Sequence, residues 1–322
     1  MTAKASVRSM QLPESEGPAL LVHGGAWDIP PGEWTNHERG LGEALSTGAA
    51  MLLEGAAAVD VVTEVVAGME AHGAFDAGRG SVLTRGGFVE MDAGIMCGRR
   101  AAYGAAALLR ETVHPIRLAR ALMEAEHALL RFAAGPEADR MAGMFGLQQE
   151  QNPWFVSARE RDRHEAIARD LGTFHPSQPF HGRGTPRGTV GAVARDLSGD
   201  LAAATSTGGT PFRPEGRIGD TPLPGCGFFA DDVAAASATG WGEAISASIL
   251  CARAVLDDMS PVEAANSRVR DMYRRIVAPD GGGATGGLIL LTARAGGAVA
   301  WTTPRMARAA WSADGTSFLV VD

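Results

Sequence analysis

TVGAVARDLSGDLAAATSTGG, residues Thr189–Gly209, reads as two strands of small residues hinged on a Ser-Gly turn. A hinge centred on Ser198 pairs residues whose numbers sum to 396, which sets Thr189 opposite Thr207. Opposed residues of an antiparallel pair stand roughly 4.5–5.5 Å apart at Cβ, close enough for two hydroxyls to cooperate. Gly188 precedes one threonine, and Gly208 and Gly209 follow the other. A threonine so placed becomes a strong nucleophile when the chain is cut before it, because the freed α-amine acts as its general base. The competing reading is a buried hairpin whose threonines serve β propensity alone.

Upstream, Pro18–Val22 reads as a buried strand ending in a glycine turn at His23-Gly24-Gly25-Ala26-Trp27. Apolar residues at helical spacing predict helices from about His37 to Glu54 and from Ala58 to Ala71. A glycine-rich loop follows over Phe75–Ser81. Short strands are expected at Ser81–Thr84, Phe88–Met91, Gly94–Cys97 and Ala102–Ala107, then a helix from Pro115 to about Phe132. Residues 148–187 are rich in charge, Pro, Gln and His, with one charged helical patch near Arg159–Leu171, and read as a mobile linker. Beyond the hairpin come a Pro/Gly loop over Thr210–Gly227, a helix from near Gly242, and another over roughly Ser260–Ile276. Strands at Gly287–Thr292, Ala298–Trp301 and Ser317–Val321 close the chain. Strands and helices occur in blocks, which suits a layered α+β fold better than a βαβ repeat.

At 322 residues the chain is long enough for one large domain or two small ones. A net charge of −8 disfavours nucleic acid or an anionic membrane as the main partner. Three cysteines without paired spacing, Cys97, Cys226 and Cys251, suggest reduced thiols and a cytoplasmic setting. No signal peptide or membrane span is read from the sequence.

Several chemistries are excluded by order and context. The His23–Trp27 run resembles the oxyanion loop of some α/β-hydrolase esterases, which require G-x-S-x-G and a later histidine. The nearest string is Ala204-Thr205-Ser206-Thr207-Gly208, and all eight histidines lie at or before His181. Gly281-x-Gly283-x-x-Gly286 precedes a strand instead of following one, so it is a turn and not a dinucleotide fingerprint. No H-E-x-x-H, C-x-x-C or Walker sequence occurs, so neither a zinc site nor a P-loop is supported.

Arg217-Ile218-Gly219-Asp220 places a cation and an anion three apart on a Pro/Gly loop. Solvated, they form an ion pair worth roughly 0–1 kcal/mol. In a cleft they grip a zwitterion, Arg217 on its carboxylate and Asp220 on its ammonium. Thr239-Gly240-Trp241-Gly242 offers a hydroxyl and backbone N–H groups just ahead of a helix, suited to an N-cap turn and to an oxyanion alike.

From Leu20 onward, these residues resemble the plant-type asparaginase and isoaspartyl peptidase family of N-terminal nucleophile hydrolases. GTVGAVARD, LAAATSTGG and GRIGD carry the resemblance, in that order; HGGA, DAGRGSVLTRGGFVEMDA and HPIRLARALME support it. The resemblance implies an αββα four-layer sandwich and an inactive precursor that cuts itself at Gly188–Thr189 into residues 1–188 and 189–322. The fragments would stay together, usually in a dimer of processed protomers.

By the same resemblance, Thr189 would attack the side-chain amide of L-asparagine or the isopeptide bond of a β-aspartyl dipeptide, releasing L-aspartate. Its α-amine would take the proton, and Thr207 would orient the nucleophile, with Gly209 beside it. Thr239 and the Gly240 N–H would hold the oxyanion. Arg217 and Asp220 would clamp the α-carboxylate and α-amine, and Arg217–Asp220 together with Thr239–Gly242 would line the pocket. No cofactor is required; the resemblance implies a structural sodium ion on backbone carbonyls of Met69–Arg79.

Three positions depart from the family pattern. Asp76 stands where asparagine is usual beside the nucleophile; an added carboxylate there raises the amine's pKa and slows processing or turnover. Trp27 replaces a frequent glycine. Trp241 replaces smaller or polar residues and narrows or shields the pocket. Asp76 and Trp241 are also the features of a rival reading, a degenerate aspartate-binding scaffold. A further rival is an endopeptidase like the threonine aspartases.

Overall fold

Two sheets lie face to face with helices on both outer surfaces in the computed structural model, which describes residues 7–125, 130–170, 188–278, 281–294 and 296–322. In chain order the first half holds β1 (Arg8–Leu12), β2 (Ala19–Trp27), α1 (Trp34–Leu53), α2 (Ala58–His72), β3 (Met91–Cys97) and β4 (Ala102–Leu109). It continues with α3 (Pro115–Glu124), β5 (Phe132–Ala134), α4 (Pro136–Met144) and α5 (Ala158–Arg169). The second half holds β6 (Val190–Arg195), β7 (Leu201–Thr207), β8 (Phe228–Ala230), β9 (Ala234–Gly240), α6 (Gly242–Ser248) and α7 (Leu250–Val255). It ends with α8 (Pro261–Arg275), β10 (Gly286–Thr292), β11 (Gly297–Trp301), β12 (Arg305–Ser312) and β13 (Ser317–Val320). The larger sheet runs β13-β12-β2-β6-β7-β3-β4-β5 and the smaller β1-β11-β10-β9-β8. Helices α1–α3 cover the larger sheet, and α7 and α8 the smaller. This is the αββα sandwich.

Tertiary packing makes these elements as much as local preference does. Helix α2 carries Val61, Val62, Val65 and Val66, all buried, although β-branched residues lose χ1 freedom in a helix. Burial of each contributes about 1.5–3 kcal/mol, which outweighs the propensity cost. They pack on the small side chains Ala192, Ala194, Ala202 and Ala204, whose size lets the helix approach the sheet closely.

Several sequence expectations need correction. His23–Trp27 is not a turn: β2 continues through it to Trp27, paired with β12 across a bulge and with β6 only as far as His23. The helix from Pro115 ends at Glu124, and Phe132 already lies in β5, parallel to β4. The helix from Gly242 breaks at Ile249, whose φ is +48°, into α6 and α7. Strands β1, β9 and β12 went unseen because their alanine-rich or charged sequences lack β-branched character, and β8 because it is only 3 residues long.

Residues 148–170 of the proposed linker are structured. Phe155 is fully buried and its carbonyl accepts the Gly80 N–H at 3.1 Å. Ser157 caps α5 through the Glu160 N–H, and Arg159 pairs with Glu33 at 3.2 Å. A charge of this stretch is thus matched by a partner distant in sequence. The remainder of that stretch, 171–187, lies outside the described residues.

Period-two alternation organises the space between the sheets. Leu21 of β2, Val193 of β6, Ala203 of β7 and Ala235 of β9 share one apolar layer there. One step along, the register aligns His23, Gly191 and Thr205, with Ser237 reaching across from the facing sheet. The next step brings Thr189, Thr207 and Thr239. An apolar floor, a polar middle and a hydroxyl-bearing rim therefore stack in order.

Candidate active site

The hairpin register follows the sum of 396: Val190 pairs with Ser206 and Gly191 with Thr205. Just beyond, the Thr189 hydroxyl donates to the Thr207 hydroxyl at 3.2 Å, and Thr207 Oγ1 accepts the Gly209 N–H at 3.0 Å. Thr189 is half-buried; Thr207 and Thr239 are buried. Thr239 Oγ1 has no hydrogen-bond partner among the described residues, an exception to the rule that buried hydroxyls are paired. Gly240 beside it has φ +136°, open only to glycine, and a Cβ there would stand 2.4 Å from the Gly286 Cα.

Gly188 is joined to Thr189 in this chain and is pressed against β2. A Cβ on Gly188 would stand 2.2 Å from the Gly25 Cα, and one on Gly25, whose φ is +109°, would stand 2.0 Å from the Gly188 Cα. Neither position admits a side chain. Asp76 is buried and supports the site from behind: its carboxylate accepts the Val82 N–H at 3.0 Å and its carbonyl the Gly208 N–H at 3.0 Å. A Cβ on Gly208 would meet the same carboxylate at 2.4 Å, so Asp76 presses directly on the residue after Thr207.

Arg217 and Asp220 converge at Gly242. A Cβ on Gly242 would lie 2.8 Å from Arg217 Nη2 and 2.9 Å from Asp220 Oδ1. Gly219 tucks under the guanidinium, while Ile218 is exposed and turns away. Asp220 is buried and its second carboxylate oxygen has no hydrogen-bond partner among the described residues. Burial pushes its pKa up to about 7, against the pull of Arg217. A buried carboxylate so poised is short of a cation.

The Arg217 guanidinium is not idle. Its Nε and Nη2 donate to the two carboxylate oxygens of Glu243 at 2.8 and 2.7 Å, a side-on bidentate fork. Burial alone would raise the Glu243 pKa; Arg217 and the Trp241 side chain outweigh it and hold it low. Trp241 also packs on the core beneath the smaller sheet. It thus steadies Glu243, which steadies Arg217.

Sequence reading missed three buried ionisable side chains and a buried imidazole behind this site. Arg213 donates to the Glu90 carbonyl at 2.7 Å, to the Glu90 carboxylate at 3.3 Å and to the Arg217 carbonyl, tying the clamp loop to the start of β3. Glu90 also accepts the Gly216 N–H at 3.0 Å. Asp92 pairs with Thr207 across the β3–β7 ladder and accepts the Leu108 N–H at 2.8 Å; burial raises its pKa. His23 reaches the Thr189 carbonyl at 2.9 Å. The signal lay in FVEMDA and HGGA, both quoted above, where charged and imidazole groups stand inside runs otherwise read as apolar or turn.

The asparaginase family model matches residues 16–321. The chain belongs to the asparaginase family. An isoaspartyl peptidase/L-asparaginase of Danio rerio is 40% identical over 265 residues, covering 80% of this chain and 83% of that protein. A plant-type L-asparaginase of Pyrobaculum calidifontis is 40% identical over 297 residues, covering 90% of this chain and 95% of its own. An isoaspartyl peptidase/L-asparaginase of Xenopus laevis is 36% identical over 298 residues, at 91% and 92% coverage. Against that asparaginase background, the arrangement described here is a hydroxyl pair at a glycine-flanked hairpin, a buried hydroxyl on the facing sheet without a partner among the described residues, and a cation and anion that converge at Gly242.

Proposed function

We propose that this chain is a self-processing threonine hydrolase that cleaves the side-chain amide of L-asparagine and the isopeptide bond of β-aspartyl dipeptides. The observation that carries the reading is the 3.2 Å contact between the Thr189 and Thr207 hydroxyls, immediately after a glycine that no side chain can replace. In the precursor, Thr189 Oγ1 attacks the Gly188 carbonyl carbon and the peptide shifts to an ester. Water then cleaves the ester, leaving residues 1–188 and 189–322.

In the processed enzyme the free α-amine of Thr189 has a reference pKa near 7.7–8.0 and accepts the hydroxyl proton. Thr189 Oγ1 attacks the substrate's β-carbonyl carbon, and Thr207 fixes its direction. The oxyanion is received by Thr239 Oγ1 and the Gly240 N–H. The C–N bond breaks as the departing amine takes the proton back. Water then hydrolyses the aspartyl ester, releasing L-aspartate and restoring Thr189.

Arg217 takes the α-carboxylate on its end-on edge, the side-on edge being held by Glu243. Asp220 takes the α-ammonium. Gly242 and Gly219 leave room for both, and Trp241 borders them. Both grips read the aspartyl head and neither reads the leaving group, so ammonia and an amino acid can both depart.

A sodium ion in the loop from Met69 to Arg79 fits the carbonyls there. The Gly73 and Phe75 carbonyl oxygens both lie 2.8 Å from where a Cβ on Gly80 would sit, a convergence that a cation would relieve. Bound, it would stiffen the turn that carries Asp76. The processed protomers pair as a homodimer. Three free, buried cysteines favour the reducing cytoplasm; among the described residues no helix is long and apolar enough to cross a membrane.

Intact-mass analysis of incubated protein tests the cut, with the smaller fragment expected to begin at Thr189. Ammonia release from L-asparagine, beside hydrolysis of a β-aspartyl dipeptide, tests the chemistry. A persistent uncut chain, or processed protein inert to both substrates, rejects the reading.

A further inference from the structure

His23 does nothing in the mechanism above, yet it is fully buried between the sheets and bonded at both ring nitrogens. The β2–β6 pairing ends at His23 and Gly191, and beyond that pair the imidazole itself reaches Thr189. A carbonyl only accepts, so Nδ1 carries the proton and donates to the Thr189 carbonyl at 2.9 Å. In the neutral ring Nε2 then accepts, and its partner at 2.8 Å is the Ser237 hydroxyl. Ser237 Oγ, its own proton given to Nε2, accepts from Thr205 Oγ1 at 2.7 Å, and the single Thr205 proton is shared in a three-centre bond with the Gly227 carbonyl at 2.9 Å. The Gly227 N–H in turn holds the Asp220 carbonyl at 3.1 Å.

We propose that His23 is a positioning residue for Thr189, the head of a His23–Ser237–Thr205 relay that ties the nucleophile's carbonyl to the loop holding the ammonium clamp. The inference rests on Thr189 being the nucleophile. Once the bond to Gly188 is cut, Thr189 becomes a chain end, free to turn about its remaining backbone torsions. A carbonyl anchored by an imidazole removes that freedom and aims both Oγ1 and the α-amine. Burial lowers the His23 pKa to about 3, so the ring stays neutral and this donor–acceptor order persists through the physiological range. Gly191 makes room for the relay: a Cβ there would stand 2.1 Å from Ser237 Oγ and 2.3 Å from His23 Nε2.

Four variants test this: His23→Leu, which removes both bonds; His23→Asn, which retains a donor near Nδ1; Ser237→Ala; and Thr189→Ala. Intact mass over time, kcat and KM for L-asparagine, and thermal unfolding are measured on each full chain. A folded His23→Leu is expected to lose at least thirtyfold in kcat with KM within twofold, and His23→Asn to recover most of that loss. Ser237→Ala is expected to fall between. Unchanged kcat in a folded His23→Leu overturns the relay, as does an equal loss in the Leu and Asn variants. Should His23→Leu not fold, wild-type kcat in Ser237→Ala overturns it. A wild-type chain that is never cut, or a Thr189→Ala variant that still turns over, overturns the nucleophile itself and is distinguishable from failure of the relay.

Discussion

The Thr189 and Thr207 hydroxyls meet at 3.2 Å from neighbouring strands of one hairpin, and the Gly209 N–H anchors Thr207 at 3.0 Å. Replacing Thr207 with Val removes the acceptor for both donors. Misaiming a nucleophile by about 1 Å costs about 10²-fold. Thr207→Val is therefore expected to slow both self-cutting and turnover by about that factor, while Thr207→Ser stays within fivefold. Time-resolved intact mass and steady-state ammonia release read the two rates.

Thr239 Oγ1 is buried and bonds to nothing among the described residues, so it contributes no hydrogen bond to the resting fold. Thr239→Ala should leave the unfolding temperature unchanged or slightly raised, since an unsatisfied buried hydroxyl is removed. If it receives an oxyanion, kcat falls about 10²–10³-fold. Calorimetric unfolding beside kcat separates the two; a fall in stability with normal turnover refutes the assigned role.

Gly188→Ala places a methyl group against the Gly25 Cα, where the gap is 2.2 Å. Neither backbone has slack, and overpacking of this kind costs about 1–3 kcal/mol. A chain that folds less stably and is cut slowly, if at all, is expected. Wild-type cutting together with a wild-type unfolding midpoint would show that β2 gives way easily.

Glu243→Gln breaks the charged fork on Arg217 while keeping its size. A guanidinium no longer held side-on loses its aim at the substrate carboxylate. KM for L-asparagine should rise about tenfold, equivalent to ~1.4 kcal/mol, with kcat within about threefold. Were Glu243 instead a competitor for the same edge, KM would fall.

The Asp220 carboxyl, with its pKa pushed up to about 7, is neutral below that pH and anionic above it. Only the anion pairs with an α-ammonium. As pH falls below about 7, protonation of Asp220 should therefore add about a tenfold drop per unit in kcat/KM to the limb that the Thr189 α-amine already imposes below about 8. Asp220→Asn should abolish this added drop along with most of the affinity. A profile that keeps only the amine's limb, falling no more than about tenfold per unit below pH 7, would mean that Asp220 does not meet the ammonium.

Much of the candidate site was legible before any coordinates. Thr189, Thr207, Arg217, Asp220, Thr239 and Gly240 stand within short, distinctive runs whose glycines mark where backbone must pass close. Charge concealed as much as it revealed. Arg159 and Glu160 read as part of a mobile linker, yet Arg159 pairs with both Glu33 and Glu160. Alanine-rich β9 gave no strand signal, although it carries both Ser237 and Thr239. Asp92, Glu90 and Arg213 were invisible as a group because their contacts join three separate segments.

The hairpin register belonged to the sequence: a turn at Ser198 and a period of two suffice to set Thr189 beside Thr207, since both are properties of a few consecutive residues. What faces that hairpin belonged to the tertiary structure alone. His23 meets Ser237 across 214 residues of chain, and Gly25 meets Gly188 only because β2 and β6 are neighbours in one sheet. Such contacts follow from which strands pair and which sheets stack. Burial of apolar surface over the whole molecule decides that pairing, and no local pattern encodes it.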